Sequence, residues 1–133
     1  MFFEENKSND LTKVAALLIH AAKIDEDYSS DEQEIIKKTL LEIGASNENI
    51  DKIINNADEI EKNSNQILDF TQEVKSMNNE NKVLIVETLW RIIYSNKKAD
   101  IYETSLMRRL AGLLYIDNKI MGDIKDKIKK ENL

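Results

Sequence analysis

Residues Ala16–Ile36, "ALLIHAAKIDEDYSSDEQEII", decide the fold, because within a few turns the chain passes from an apolar run to an acidic one and back to helical spacing. Ala16, Leu17, Leu18, Ile19, Ala21 and Ala22 extend a pattern begun by Leu11, Val14 and Ala15. That pattern is a helix with an apolar stripe so wide that most of its surface should be buried. Asp25, Glu26, Asp27, Asp31 and Glu32 then crowd five carboxylates between this helix and the next. Ser29 and Glu32 stand at the S-x-x-E spacing of a capping box, in which each side chain takes up a free amide at a helix start. The second helix should carry Ile35, Ile36, Leu40, Leu41 and Ile43 and stop at Gly44, the residue that a left-handed C-terminal cap favours.

Working outward, Asn9 or Asp10 is expected to cap the first helix, which should end near Asp25. Residues 1–8, with their "MFF" tip, are expected to be loosely ordered, the tip packing on the core. A third helix after Ser46 carries Ile50, Ile53, Ile54, Ala57 and Ile60. A fourth, after the break at "KNSNQ", carries Ile67, Leu68, Phe70, Thr71 and Val74. The fifth, "ENKVLIVETLWRIIYSN", is strongly apolar and holds Trp90; the sixth begins at Asp100 and carries Leu106, Met107, Leu110, Leu113 and Leu114. The seventh starts at Asp117 and is expected to lay Ile120, Ile124 and Ile128 against the body. The chain has no proline and three glycines, so the punctuation that strands and hairpins need is nearly missing. Its 133 residues suit a single domain, 1–133, with a real core. The expected fold is all-α: a compact bundle of about seven helices.

The bundle contains an internal repeat. Shifted by 71 residues, Leu18 falls on Leu89, Asp25 on Asn96, Ser29 on Asp100 and Glu32 on Glu103. Lys37 and Lys38 fall on Arg108 and Arg109, while Val14, Ile35, Ile36 and Ile43 fall on Ile85, Leu106, Met107 and Leu114. A helical hairpin with a polar loop and a capped second helix therefore occurs twice.

These two stretches carry a resemblance. "ALLIHAAKIDEDYSSDEQEII" and "LWRIIYSNKKADIYETSLMRRLAGLLYI" (Leu89–Ile116) are similar to the paired motifs of the TerB-like family, which includes tellurite-resistance TerB and the N-terminal domain of the DjlA co-chaperone. The likeness runs from about Asp10 to Ile116 and is closest to the stand-alone bacterial members. It implies an all-α bundle of about seven helices and a place in bacterial stress response, tellurite stress included. It also implies a divalent-metal site at Asp25, Glu32, Asn96 and Glu103. The family's first Asp-Gly is Asp25-Glu26 here and its second is Asn96-Lys97, so one carboxylate is replaced by an amide with a lysine beside it. That change weakens a site for a hard cation.

Read from the residues alone, Asp25, Asp27, Glu32 and Glu103, helped by Asn96 and Asp100, offer the oxygen ligands that Ca²⁺, Mg²⁺ or Mn²⁺ take. An EF-hand is excluded, since its glycine position is Ser30 and its bidentate glutamate position is Ile36. The bland account makes the same acids helix caps, and it has the greater weight because each already has that local task. With no cysteine, thiolate catalysis and cysteine-bound zinc are out. His20, the one histidine, lies on the apolar first helix opposite Arg91 in the repeat and reads as a half-buried, hydrogen-bonded edge residue rather than a general base. No nucleophile elbow or phosphate loop surrounds any serine. A non-enzyme is expected, and without an "HPD" the chain supplies no J-domain activity.

The net charge of -6 argues against nucleic acid as the partner. No apolar run could span a bilayer, so a cytoplasmic protein is expected, touching the inner membrane at most peripherally. Protein partners are expected instead. The two functions left are a binding or scaffold module and, as the alternative, a divalent-metal sensor that shifts the two hairpins.

Overall fold

The first apolar pattern forms α1 (Phe2–Lys23), and its width has the consequence expected of it. Val14, Ala15, Ala16, Leu17, Leu18, Ile19 and Ala22 are all inaccessible to solvent. A helix with so wide an apolar stripe must be enclosed on most of its surface. α2 (Ser30–Glu42), α3 (Ile50–Asn63), α4 (Leu68–Lys75) and α5 (Asn79–Ser95) supply the enclosure, the α1–α3 contact being the most extensive. α6 (Ile101–Leu113) packs on α4 and α7, and α7 (Asn118–Glu131) lies chiefly along α5. The computed structural model describes residues 2–23, 29–63, 68–95 and 101–131, with side chains for 11–23, 29–63, 70–95 and 105–131. Among these residues there are seven helices and no strand, so the all-α bundle is the observed fold.

α1 begins earlier than its capping residues suggested. Asn9 and Asp10 lie inside the helix, because no proline or glycine between Phe2 and Leu11 interrupts it. The residues expected as a loose tip, from Phe2 on, are helical in backbone.

The other boundaries follow local chemistry. Ser46 and Asn49 close a reciprocal cap ahead of α3: the Ser46 amide donates to Asn49 Oδ1 at 2.8 Å, and the Asn49 amide donates to Ser46 Oγ at 3.2 Å. Asn78 caps α5 through the Asn81 amide, and Asp117 caps α7 through the Lys119 amide, both at 2.8 Å. α2 ends as expected at Gly44, whose φ of 130° lies in glycine's territory, with the Ala45 amide closing onto the Leu40 carbonyl.

The repeat reaches further than the hairpins in which the sequence revealed it. Ile50, Ile53 and Ala57, the buried residues of α3, fall 71 residues before Met121, Ile124 and Ile128, the buried residues of α7. The unit is thus three helices, α1–α3 and α5–α7, with α4 between them. This register also corrects the expected stripe of α7. Met121 takes the place assigned to Ile120, which is exposed, because 3-4 spacing keeps three residues on one face where repeated steps of four drift off it.

Candidate functional site

Ser29 and Glu32 form the capping box in full. The Glu32 amide donates to Ser29 Oγ at 3.2 Å, while the Ser29 amide and hydroxyl both donate to Glu32 Oε1 at 3.0 Å. The Glu32 side chain is entirely buried. A buried carboxylate needs such charge-assisted donors to offset its lost hydration. Of the five expected metal ligands, Asp25, Asp27 and Asn96 lie outside the described residues, and Glu103 sits in the first turn of α6 with only its backbone described. Asp100, the expected cap of α6, lies outside them as well. Among the described residues no three acids or histidines converge on a point where an ion could sit.

His20 is where its pattern placed it, half-buried at a polar edge. Its Nδ1 lies 3.3 Å from Glu61 Oε1, and one turn on Lys23 donates to Asp58 Oδ1 at 2.8 Å and to Glu61 Oε2 at 3.0 Å. Burial pulls Lys23 toward neutrality, but its hydrogen bonds to Asp58 and Glu61, with their charges, outweigh it and raise its pKa above 10.5. The Lys23 hydrogen bond, chiefly, holds Asp58 below 3.8. The second unit repeats this clasp between α5 and α7. Arg91, the counterpart of His20, donates to both oxygens of Glu131, at 3.1 and 3.2 Å. That contact raises Arg91 and lowers Glu131. These charges join the helices of each unit, and none is arranged around a reacting atom.

Two clefts remain. Between α2 and α3 an open cleft of about 850 Å³ has Ile35 and Ile50 in its lining, with Leu41, Glu34, Lys38 and Glu42 around them. Lys37 and Asp51, 3.7 Å apart, also line it. Of the basic pairs read from the sequence, Lys37 is half-buried, whereas Lys38, Arg108 and Arg109 are exposed.

The second cleft, about 280 Å³, lies among α5, α6 and α7. Trp90, Met107 and Met121 form its apolar wall, and Arg108 and Lys125 stand over it. Trp90 lies in the core at 2% exposure, stacked on Tyr94 with ring centroids 5.9 Å apart. Its indole N–H is buried with no acceptor among the described residues, which ordinarily costs about 1–3 kcal/mol. Periodicity could not reveal this, since it marks Trp90 as core and says nothing of where the N–H finds a partner.

The geometry thus defines an all-α domain built from a duplicated three-helix unit, with charged clasps joining the helices of each unit and shallow clefts on its surface. Residues 11–126 match the family described as tellurite resistance protein TerB, and the chain belongs to that family. No curated protein and no solved structure matches it.

Proposed function

We propose that this TerB-family protein is a non-enzymatic binding module of the bacterial stress response, gripping a protein segment across the α2–α3 face. The cleft there carries the reading: it is open, its lining includes the apolar Ile35 and Ile50, and acids and bases alternate around them. A surface of that kind suits an extended or helical segment, whose side chains bury apolar area in the middle while charges pair at the rim. Leu41, 39% exposed, is the natural anchor. The net charge of -6 keeps nucleic acid an unfavourable occupant. The proposed setting is the cytoplasm, with at most peripheral contact with the inner membrane; among the described residues no helix is long and apolar enough to cross one.

The test places a photo-crosslinking residue at Leu41 in cells and compares it with one at Glu80, on the exposed first turn of α5. A discrete adduct from position 41, lost on Lys38→Glu, supports the reading; identical patterns from both positions overturn it.

The divalent-ion sensor is the second reading, favoured by a carboxylate as deeply buried as Glu32 beside the acidic stretch. Asp25, Asp27, Glu32, Asn96 and Glu103 would supply the oxygens for Ca²⁺, Mg²⁺ or Mn²⁺. A melting shift with one of these ions, abolished by both Glu32→Gln and Glu103→Gln, would establish it. If neither variant changes the response to any ion, these acids are caps alone.

A further inference from the structure

The solvent face of α2 carries a pattern that fits a copy of itself. At helical spacing Glu34, Lys38, Leu41 and Glu42 fall within about 100° of one another, on the side of the helix away from the buried Ile36 and Leu40. All four are exposed, Leu41 by 39%. An outward apolar side chain therefore stands on one ridge with a cation and an anion beside it. Among the described residues neither Lys38 nor Glu42 has an ion-pair contact of its own. Each acts only through space, Lys38 on Glu131 and Glu42 on Arg91, and those two hold each other at 3.1 Å.

We propose that two copies of the chain pair through this ridge, α2 against α2 across a two-fold axis; the inference rests on the reading of the α2–α3 face as a protein-binding surface. Charge complementarity selects the second copy as the occupant. With the axis level with Leu40, antiparallel helices set each Lys38 opposite Glu42 of the other copy, so the same contact forms twice. The two Leu41 side chains then lie about 3 Å apart along the helix direction, each able to lean into the other copy's cleft beside Ile35. The neighbouring registers are worse. An axis level with Lys38 or with Glu42 opposes like charges, and one level with Ile36 pairs Glu34 with Lys38 but sets Leu41 against Asp31. The second unit does not repeat the pattern: Arg109, Gly112 and Leu113 stand where Lys38, Leu41 and Glu42 would fall. The ridge occurs once per chain, so the pairing closes at two copies and does not run on into a fibre.

Sedimentation velocity of the full chain, from about 10 μM to about 1 mM, tests this. With one leucine per copy at the centre of a small contact, a dimer Kd on the order of 100 μM is expected. Lys38→Glu and Glu42→Lys, both exposed changes, should each weaken the dimer about tenfold or more, because each sets like charges in both contacts. Mixed in equal amounts, the two variants should regain the wild-type Kd, since every contact in the mixed pair is again of opposite sign. A folding defect in either variant could not be repaired in this way. The proposal is overturned by a monomer up to about 1 mM, by a dimer indifferent to these substitutions, or by variants that do not restore each other. A monomer whose position 41 still crosslinks to one other protein would end the pairing and leave the binding reading standing. An adduct of twice the chain's own mass supports both.

Discussion

Thr39 and Thr88 meet in the middle of the bundle with their hydroxyl oxygens 2.6 Å apart, both side chains buried. Each oxygen also lies within hydrogen-bond reach of a carbonyl one turn back, Thr39 of Ile35 at 3.1 Å and Thr88 of Leu84 at 2.8 Å. Two hydroxyl protons cannot serve three contacts. One threonine donates to its own helix, the other donates across, and the pair ties α2 to α5 by a single bond. Either threonine changed to valine keeps the volume and leaves its former partner its own carbonyl, so each single change should cost about 1 kcal/mol. The double change should cost about 0.5–1 kcal/mol less than the sum, since both singles break the same cross-helix bond. Urea denaturation of the four proteins measures this, and strict additivity would show that the 2.6 Å contact carries no shared bond. Nothing in the sequence marks the pair. Thr39 falls on Leu110 in the repeat, and only the crossing of two helices distant in sequence brings it to Thr88.

At the level of the helices, most of what the sequence could say was correct because it depended on neighbours along the chain. The Ser29 box, the Gly44 stop and the apolar stripes are local patterns. The ends that depend on tertiary packing were not legible. Tyr115, the counterpart of Gly44, shows why. It holds the C-terminal cap of α6 with φ of 56°, the Ile116 amide closing onto the Ala111 carbonyl at 2.9 Å. A left-handed tyrosine is held at a cost of about 1–2 kcal/mol. Lys75, over its ring at 4.4 Å, offsets only part of that at so exposed a site. Tyr115→Gly should therefore stabilise the protein by about 0.5 kcal/mol, whereas Gly44→Ala should destabilise it by about 1 kcal/mol. Thermal melts of the two variants separate the cases; a Tyr115→Gly protein that melts lower would show that the Lys75 contact outweighs the backbone strain.

The α1–α3 clasp makes a prediction of its own. Asp58 is lowered by its contact with Lys23, so its contribution is present above 3.8 and disappears as pH falls through its folded value. Lys23 is raised, so its contribution is present below 10.5 and disappears as pH rises through its folded value. The stability difference between wild type and Asp58→Asn should be flat from about pH 5 to 9 and narrow on both sides. With Asp58 a third exposed, its plateau should be only about 0.5 kcal/mol, since solvent screens such pairs. Denaturant titrations across that range measure it, and a difference that widens toward acid would contradict the assignment.

For the whole molecule, the duplicated unit raises the question of whether either half is a domain. Shared ancestry of pattern would suggest independence, but the packing argues otherwise. α1 is enclosed on one side by its own α2 and α3 and on the other by α4 and α5, while α2 rests against α5. Cutting the chain after α3 would expose the α1 surface that α4 and α5 cover, in a fragment of about half the length. A chain that short buries too little apolar area to offset its conformational entropy without what the other half supplies. Residues 1–63 and 68–133, made separately, should each lack a cooperative melt, and mixing them should restore helicity and one transition at a midpoint that rises with concentration. A fragment that melts cooperatively alone would make the protein two joined three-helix domains. The register explains why the sequence could not foresee this. The 71-residue match pairs Leu18 with Leu89, both inaccessible, and so marks each as core. It is silent on whether those cores are two or one, and the burial of the α1 apolar face among helices of both units makes them one.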